Sequence, residues 1–420
     1  MMQKRLLSLL LITVAVLGIG LILSQRQQPA GEGEAQTGPL LPGLSAAIND
    51  VSSIRIGKAG NELIADLRRV DQKWLVASRH DYPADFAKVR EYLIKLSESK
   101  LREAKTSKPE NHKRLGVEDT AAADASGLAV ELGGLKEPVK LIVGIASGGG
   151  SPGTFVRRGE DPQAWLVSGD VIPDKEASNW LDKNILDLPS SEVYAVAVTA
   201  PDKSVLKIDK ADPGAFNYTV HNVPKGRALS SESAGNATAG ALASLTLEDV
   251  RPAADLQPDA ASTWSAGFAG YDGLVVDATL WDAEGKTWAK FAARLDEARL
   301  DAWVAAEKAK ADAARASAEA EAAAKKAAEE AKPATDAPTS ADASDGQAAD
   351  AATPAPVVDA AAPAVPEPFD AEKAKADKRA ALEKRIAELN AKTDPWVYAI
   401  PSWKASNVKK KLDELLAPKS

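Results

Sequence analysis

A histidine flanked by charged residues is the densest cluster of chemically active side chains in this sequence. The segment Arg79-His80-Asp81-Tyr82-Pro83-Ala84-Asp85 sets one imidazole beside two carboxylates. An imidazole next to a carboxylate could act as a general base or bind a metal, so a hydrolase centred on His80 and Asp85 is one hypothesis. The same composition is typical of a strand-to-helix connection, in which Asp85 would cap the helix. We favour this structural interpretation, because nothing in the pattern requires His112 or His221 to approach His80.

A glycine-rich segment follows a strand-like run, where a phosphate-binding loop would lie. Gly144 and Gly148-Gly149-Gly150 supply the glycines, but Ser151-Pro152-Gly153-Thr154 then leads into another strand-like run. A phosphate loop needs a Lys-Ser/Thr pair and a following helix, so a hairpin loop is the better interpretation. The sequence has no cysteine and no His-Glu-x-x-His or Gly-x-Ser-x-Gly pattern. We therefore predict no catalytic residue, no cofactor and no metal site.

The nine tryptophans are the other candidates for contacts. Tryptophan stacks on sugar rings and is enriched at binding hot spots. Five of them lie beside aliphatic residues and are expected in the core, namely Trp74, Trp165, Trp180, Trp288 and Trp396. Trp264, Trp281 and Trp403 lie in more polar surroundings and are predicted to be exposed contacts for a ligand or partner. An envelope glycan-binding module that uses these residues is the alternative function.

The first element of the chain is an uncharged apolar run from Leu6 to Leu23. A helix of this length spans most of a hydrocarbon core about 30 Å thick. Because Lys4 and Arg5 precede it, residues 1–5 are expected in the cytoplasm and the main domain outside. A cleaved signal peptide is disfavoured, since the run is long and ends without a small-x-small site. Residues 24–46, rich in Gly, Pro, Glu and Gln, are predicted to be a flexible tether.

The remaining sequence predicts an α+β fold, in which two duplicated antiparallel β-rich repeats carry packing helices. Short alternating runs separated by turn residues indicate antiparallel strands, and the run from Phe86 to Leu96 has helical spacing. The predicted first repeat is residues 47–190. The predicted second repeat is residues 191–295 and 395–420, which are separated by an insert at residues 296–394.

The duplication is predicted from a matched segment near the end of each repeat. Ile172-Pro173-x-x-x-Ala177-Ser178-Asn179 recurs as Ile400-Pro401-x-x-x-Ala405-Ser406-Asn407. The first copy is predicted to open a helix that reaches Ile185. We also align the strand-like run Gly127–Leu132 with Gly273–Ala278.

The insert is predicted to replace the hairpin region Ser147–Gln163 of the first repeat with two helical arms. Residues 302–332 and 369–392 are rich in Ala, Glu, Lys and Arg, which favour helix, and only a thin apolar stripe is available for a coiled coil. Residues 333–368 are rich in Pro, Ala, Ser and Thr and are predicted to be disordered. We therefore expect that deleting residues 302–391 leaves the melting temperature nearly unchanged.

With this architecture in place, the chain resembles a bacterial family, domain of unknown function 4340. The resemblance lies in the N-terminal anchor, Lys73-Trp74-Leu75-Val76 followed by Tyr82-Pro83-Ala84-Asp85, the Gly127–Val143 hairpin, and Trp396-Val-Tyr-Ala-Ile-Pro401. It implies a companion of ABC-type transporter components related to gliding-motility systems, and it implies no catalytic residues.

The expected function is therefore that of a non-enzymatic accessory protein. It would be anchored by one span in the bacterial inner membrane, with a periplasmic main domain and with transporter permease or ATPase components as partners. The net charge of −8 argues against a nucleic-acid partner.

Overall fold

The computed structural model describes residues 38–148, 152–330 and 365–418, and it shows an α+β protein with large antiparallel sheets. The chain divides into two compact units. Unit 1 takes in the described residues up to Asn184 together with Glu248–Arg251, and unit 2 takes in Ile185–Leu247 and the described residues from Pro252 onward. The predicted anchor at residues 6–23 lies outside the described residues. Within the described part of the chain, none of the helices combines the length and apolarity needed to cross a membrane.

Unit 1 is built on a nine-stranded antiparallel sheet with the order β4-β3-β2-β1-β6-β7-β8-β9-β5. Its strands are β1 (Ser53–Lys58), β2 (Glu62–Val70), β3 (Lys73–Val76), β4 (Tyr82–Pro83), β5 (Leu101–Thr106), β6 (Leu128–Gly133), β7 (Val139–Ala146), β8 (Gly153–Arg158) and β9 (Ala164–Ser168). Its helices are α1 (Leu44–Ala47), α2 (Phe86–Glu98) and α3 (Pro109–His112), with short 3-10 helices at Ile48–Asp50, Ala59–Asn61, Ala77–Arg79 and Ala177–Trp180.

Alternation of side chains explains how unit 1 forms its core. In β1, Ile54 and Ile56 are fully buried, whereas Arg55 between them points to the opposite face. The apolar residues of α2 share one face and are buried, namely Val89, Tyr92, Leu93 and Leu96. The inner face of the sheet therefore carries this part of the core.

Unit 2 contains a run of seven strands in the order β13-β12-β11-β16-β17-β18-β19. The strands after β9 are β10 (Asn184–Leu186), β11 (Val193–Thr199), β12 (Val205–Asp209), β13 (Thr219–Val220), β14 (Leu245–Thr246), β15 (Asp249–Pro252), β16 (Trp264–Gly270), β17 (Leu274–Ala283), β18 (Lys286–Leu295) and β19 (Trp396–Ile400). The helices are α4 (Asn236–Ala239), α5 (Glu297–Glu330), α6 (Ala371–Thr393) and α7 (Ser402–Val408), with a 3-10 helix at Leu412–Leu415.

The strand order of unit 2 repeats that of unit 1, since β3-β2-β1-β6-β7-β8-β9 corresponds to β13-β12-β11-β16-β17-β18-β19. This correspondence agrees with the predicted duplication but corrects the alignment of the strands. Gly127–Leu132 overlaps β6, whose counterpart is β16, whereas Gly273–Ala278 overlaps β17. The alignment from the sequence paired β6 with the strand next to its true counterpart, because small and aliphatic residues alternate in the same way in neighbouring strands.

The matched Ile-Pro segments occupy the same place in the two units. Each follows the last strand of the repeat, β9 or β19, and leads into a short helix. In unit 1 the backbone of Trp180 and Asp182 then pairs with Asp85 and Pro83, through N–H···O bonds of 2.8 and 2.9 Å. In unit 2 the C-terminal segment pairs in the same antiparallel manner, with Leu416 opposite Leu229.

The long helix predicted after Ile172 is wrong. The structure has only a 3-10 helix at Ala177–Trp180. The Asp174 carboxylate accepts hydrogen bonds from the backbone N–H of Glu176 at 3.1 Å and from the Asn179 side chain at 3.0 Å. These local bonds hold the backbone in a turn, which competes with helix formation.

The insert is also placed differently from the prediction. It connects β18 to β19, so its counterpart in unit 1 is the short β8–β9 turn rather than the whole region Ser147–Gln163. The base of the two arms is part of the core, because Leu300, Val304 and Leu382 are buried. The expectation that residues 302–391 contribute little to stability is therefore wrong at this base. Most of the segment predicted to be disordered, residues 333–364, lies outside the described residues.

The last part of the predicted tether is folded. Leu40, Leu41 and Leu44 are buried in unit 1. The backbone N–H of Leu40 donates to the Ser99 carbonyl at 2.7 Å, and the N–H of Leu101 donates to the Gly38 carbonyl at 2.8 Å. The sequence did not predict the burial of these three leucines, because they lie among Gly- and Pro-rich residues that are typical of a flexible tether. Residues 24–37 lie outside the described residues.

Candidate functional site

The structure assigns the segment around His80 to a strand-to-helix connection. Asp85 is the N-cap of α2 and accepts a hydrogen bond from the backbone N–H of Lys88 at 3.1 Å. His80 is exposed, with a left-handed φ of 59°. His112 is buried, with Nε2 2.8 Å from the Pro162 carbonyl oxygen. The structural interpretation of Asp85 as the cap of this helix is thus confirmed.

Gly144 has a packing role in β7. A Cβ atom at this position would lie 2.1 Å from the backbone oxygen of Leu115, so only glycine permits the loop to approach the strand. Residues 149–151 of the predicted loop lie outside the described residues. The described part of this segment is a strand followed by a connection to β8.

The three tryptophans predicted to be exposed differ in their surroundings. Trp281 is only 1% exposed and packs with Trp288, Val397 and Ala399, so its predicted exposure is wrong. Trp264 is half-buried. Trp403 lies in the first turn of α7 and is 61% exposed, with the Lys404 Nζ atom 4.8 Å from its ring centroid.

A cavity of about 390 Å³ lies on the outer face of the unit 2 sheet, over strands β11 and β16. We call this cavity the trough. Its floor contains the small residues Ala195 and Ala197 from β11 and Gly267 and Ala269 from β16, and Val275 of β17 also lines it. Because these positions alternate with buried residues such as Val196 and Phe268, the small side chains all face outward.

Charged residues stand on both sides of the trough in two rows across the sheet. In the first row, Lys207 of β12 and Asp277 of β17 flank the pair Ala197–Gly267. Lys207 makes no side-chain hydrogen bond or ion pair with any residue that the structure describes. The first row therefore has a cation on the β12 side and an anion on the β17 side.

The second row has the opposite polarity. Asp209 of β12 and Arg294 of β18 lie at its two ends, and Ala195, Ala269 and Val275 lie between them. The Asp209 carboxylate is 2.8 Å from Nε2 of His221, which also lines the trough. The Arg294 Nε atom donates to the Asp277 carboxylate at 2.7 Å and so ties the two rows together.

One end of the trough adjoins the start of the insert. Asp296 lines the trough and also accepts a hydrogen bond from the backbone N–H of Arg299 at 3.1 Å, as an N-cap of α5. The Arg299 guanidinium lies 3.2 Å from the ring centroid of Tyr194, which in turn meets Tyr271 edge to face at 5.7 Å. Burial raises the pKa of the Tyr271 hydroxyl. These contacts fix the direction in which α5 leaves the sheet.

The trough was not predicted from the sequence, although a signal for it exists. Val193-Tyr-Ala-Val-Ala-Val-Thr199 and Trp264-Ser-Ala-Gly-Phe-Ala-Gly270 alternate large and small residues, and small residues occupy almost every outward position. Solvent-exposed strand positions usually carry longer or β-branched side chains.

Comparison with known proteins supports the family resemblance. The family described as Domain of unknown function (DUF4340) matches residues 74–262, a stretch that begins in β3 and ends just before β16. The match supports the resemblance to this family over residues 74–262. No curated protein and no solved structure matches the chain significantly.

Proposed function

We propose that the chain is a non-enzymatic accessory protein, held at the periplasmic face of a bacterial inner membrane by residues 6–23, and that it partners an ABC-type transporter. The family match at residues 74–262 supports this proposal through the setting that the family resemblance implies. The observation that carries it is the docking of residues 38–44 onto unit 1, with Leu40 and Leu44 buried. This docking leaves a short connection between the apolar segment and the folded domain.

The length of the connection limits how far unit 1 could lie from the membrane. Residues 24–37 are 14 residues long. A fully extended chain of that length reaches about 48 Å, and a flexible one has a mean span of about 20 Å. An anchored chain would therefore hold its folded part close to the bilayer, within reach of the periplasmic parts of a membrane protein.

Trp403 is the contact that we assign to the partner. It combines an exposed indole with a fixed base, because Lys404 beneath it is buried and donates from Nζ to the Ala243 carbonyl. Burial lowers the pKa of Lys404, while Asp187 acts in the opposite direction. A rigid, exposed tryptophan loses little conformational freedom when it is covered, which is why tryptophan is enriched at hot spots.

Affinity purification of the tagged full chain from detergent-solubilised membranes of its native host tests the proposal. We expect a permease and an ATPase to be recovered with it, and we expect Trp403→Ala to weaken their binding by about thirtyfold, as for a hot spot of about 2 kcal/mol. Phe86→Ala is the matched control, because Phe86 is an aromatic residue that is equally exposed, at 61%, on unit 1. Recovery of the chain without any transporter component would contradict the proposal.

The exposed indole of Trp403 also favours the alternative, an envelope glycan ligand. A sugar ring stacked on this indole would quench or shift its fluorescence. The test is a titration of the wild-type chain and of Trp403→Ala with cell-wall and surface glycans. A spectral change that is lost in the variant would support a glycan, and no change with any glycan would remove this alternative.

A further inference from the structure

We propose that the surface of unit 2 formed by residues 213–220, 233–247 and 401–408 binds a protein partner, and that this partner offers an uncharged, apolar groove. We call this surface the aromatic face, because it carries Phe216 and Trp403. The inference rests on the proposed function in one respect, since it takes the partner to be the membrane protein that Trp403 contacts. It follows from the exposure of Phe216, from the bonds that join the three segments, and from their lack of charge.

Phe216 is the most exposed large apolar side chain among the residues that the structure describes, at 87%. It lies in the connection between β12 and β13, which runs from residue 210 to residue 218. The corresponding connection in unit 1, between β2 and β3, is only the two-residue turn Asp71-Gln72. The loop that presents Phe216 is therefore an addition to the second repeat, and the common strand order does not require it.

The loop around Phe216 is held in place by the side chain of Asn236. The Asn236 amide nitrogen donates to the Phe216 carbonyl at 3.3 Å and to the Asn217 side-chain oxygen at 3.0 Å. The Asn236 amide oxygen accepts from the Tyr218 N–H at 3.0 Å. Because the backbone that carries Phe216 is fixed in this way, a partner that covers the ring would remove little conformational freedom from the loop.

Helix α4, which begins with Asn236, connects this loop to the segment of Trp403. It packs against α7, the helix that carries Trp403. Lys404, the next residue of α7, donates from Nζ to the carbonyl of Ala243, which follows α4 in the chain. The two exposed aromatic residues therefore lie on elements that contact the same short helix, on which Ala237 is also exposed.

The aromatic face has almost no charge. In the whole chain 27% of the residues are charged, whereas the three segments of this face contain a single charged residue, Lys404. The Lys404 side chain is buried, and its Nζ atom lies 4.8 Å from the centroid of the Trp403 ring. A surface that exposes aromatic residues and lacks charge has the composition of the core of a protein–protein interface.

This composition favours a partner protein over the other possible occupants. A nucleic acid or an anionic lipid headgroup would need clustered lysine or arginine residues, and these segments have none. A second copy of the chain would have to receive Phe216 in an apolar cavity, whereas the trough of unit 2 is flanked by charged residues. A charged partner surface would lose its hydration here without gaining an opposite charge, so the groove of the partner must be apolar.

Photo-cross-linking of the full chain in its native host tests the inference. A photoreactive benzophenone analogue of phenylalanine replaces Phe216 in one variant. In the control it replaces Phe86, which is an exposed aromatic residue of unit 1. We expect irradiation to link position 216, and not position 86, to a transporter component that mass spectrometry identifies.

Purification from detergent-solubilised membranes measures the contribution of single residues. Phe216→Ala should weaken partner binding about tenfold. Ala237→Glu should weaken it at least as much, because it would bury a carboxylate against an apolar groove. The matched controls are Phe86→Ala and Ala87→Glu, since Ala87, like Ala237, is the exposed second residue of a helix. Both controls should bind as the wild-type chain does, and all four variants should keep the wild-type circular-dichroism spectrum.

The outcomes separate the aromatic face from the transporter proposal. Position 216 could link to one identified membrane protein that is not a transporter component. If Ala237→Glu then weakens the binding of that protein and Ala87→Glu does not, the aromatic face is supported and the transporter proposal is contradicted. The inference is overturned if position 216 gives no more product than position 86, or links only to lipid or to a second copy of the chain. It is also overturned if Phe216→Ala and Ala237→Glu bind as the wild-type chain does while Trp403→Ala does not.

Discussion

The outward-facing residues of the two sheets differ far more than the strand orders of the two sheets do. In unit 1 the two central strands, β1 and β6, set Arg55 directly opposite Glu131, and the cavity there is about 250 Å³ and partly lined by polar residues. In unit 2 the corresponding strands, β11 and β16, carry only Ala and Gly at the floor of the trough. The common strand order is set by the inner apolar residues, so the outer residues are free to diverge. Features specific to one repeat are therefore to be sought on the outer face.

The same part of the outer face is covered in both repeats. In unit 1 a loop that contains Val117 packs on Ile142 and Ala164. In unit 2 the loop at Ala253 and Leu256 packs on Trp281, Trp288, Val397 and Ala399. Each loop precedes the strand at the middle of its sheet, β6 or β16. In both sheets a loop thus covers one end of the outer face and leaves the centre open. The two sheets differ in the residues of this open centre.

The largest predicted effect comes from the matched Ile-Pro segments, where Trp180 of unit 1 corresponds to Val408 of unit 2. Trp180 is buried, meets Tyr92 edge to face at 5.5 Å and donates from Nε1 to the Asp174 carbonyl at 3.3 Å. We expect Trp180→Ala to lower the free energy of unfolding by about 3–5 kcal/mol. Val408→Ala should lower the free energy of unfolding by less, about 1.5–3 kcal/mol, because the side chain that loses its burial is smaller. Urea unfolding of both variants provides the measurement.

Hydrogen exchange of the same variants locates each effect. Peptides of unit 1 should lose protection in Trp180→Ala, and peptides of unit 2 should lose it in Val408→Ala. Trp180→Phe is the control that keeps an aromatic ring. Equal destabilisation by the two alanine variants would show that the matched segments do not differ in their contribution to the core.

The second prediction concerns the residue that closes the edge of β18, where unit 1 has only a turn. The Asn390 side chain of α6 accepts from the Ala293 N–H at 2.7 Å and donates to the Ala293 carbonyl at 2.8 Å. It thereby replaces the partner strand where β19 has ended. Asn390→Ala should lower the free energy of unfolding by about 1–3 kcal/mol, because the N–H and the carbonyl of Ala293 both lose their hydrogen-bond partner. Exchange of the Ala293 amide measures the effect.

Asn390→Asp is the informative control for this interaction. Its carboxylate can still accept from the Ala293 N–H but cannot donate to the carbonyl. The aspartate variant should therefore protect the amide better than the alanine variant. Identical exchange in both variants would show that helix packing, and not the amide group, closes the edge.

Asn390 also illustrates why the sequence predicted only part of the fold. Alternation and helical spacing were sufficient for most strands of unit 1 and for α2, because those signals are local. The base of the insert depends on contacts between residues about a hundred positions apart, such as Asn390 with Ala293. The thin apolar stripe that contains Leu382 was recognised in the sequence, but it gave no sign of which surface it would pack against.

Trp281 and the trough show the same limit for the candidate site. Trp281 follows Leu280 in β17 and was expected to be exposed because Asp282 comes next in the sequence. It is buried because a loop that starts near Ala253 covers that end of the outer face. The trough needs the register of four strands to bring its small residues together, and no single segment of the sequence contains that information.

The third prediction uses alkaline pH to separate the two units. Burial raises the pKa of Tyr218 in unit 2 to about 12, and its hydroxyl lies 2.6 Å from the Ser190 carbonyl oxygen and 2.7 Å from that of Val193. Folding therefore favours the neutral hydroxyl of Tyr218. Its contribution to the free energy of unfolding is fully present below pH 10 and is lost as the pH rises toward 12. Burial raises the pKa of Tyr92 in unit 1 further still.

We therefore expect phenolate absorbance and the loss of protection to appear in unit 2 before unit 1 as the pH rises. Tyr218→Phe is the matched variant, since it removes the titrating hydroxyl but keeps the ring. It should be less stable at neutral pH and should show a smaller further loss above pH 10. Simultaneous unfolding of both units in the wild-type chain would contradict this separation.

The smallest predicted effect is that of shortening the insert beyond its base. Residues 308–366 lie outside the buried contacts of Leu300, Val304 and Leu382, and the described ion pairs in this stretch join residues within α5, such as Lys308 with Asp312 and Arg315 with Glu319. Exposed pairs of this kind each contribute only about 0.3–0.5 kcal/mol. Replacing residues 308–366 by a flexible linker of about ten residues should therefore shift the melting temperature by no more than about 2 °C, because the base and the Asp370 cap of α6 are kept.

Deleting residues 302–391 should instead lower the melting temperature strongly, since Val304, Leu382 and Asn390 are then lost. Scanning calorimetry of the two deletions in parallel gives the comparison, and a large shift in the shorter deletion would mean that the distal part of α5 contributes to the folded core.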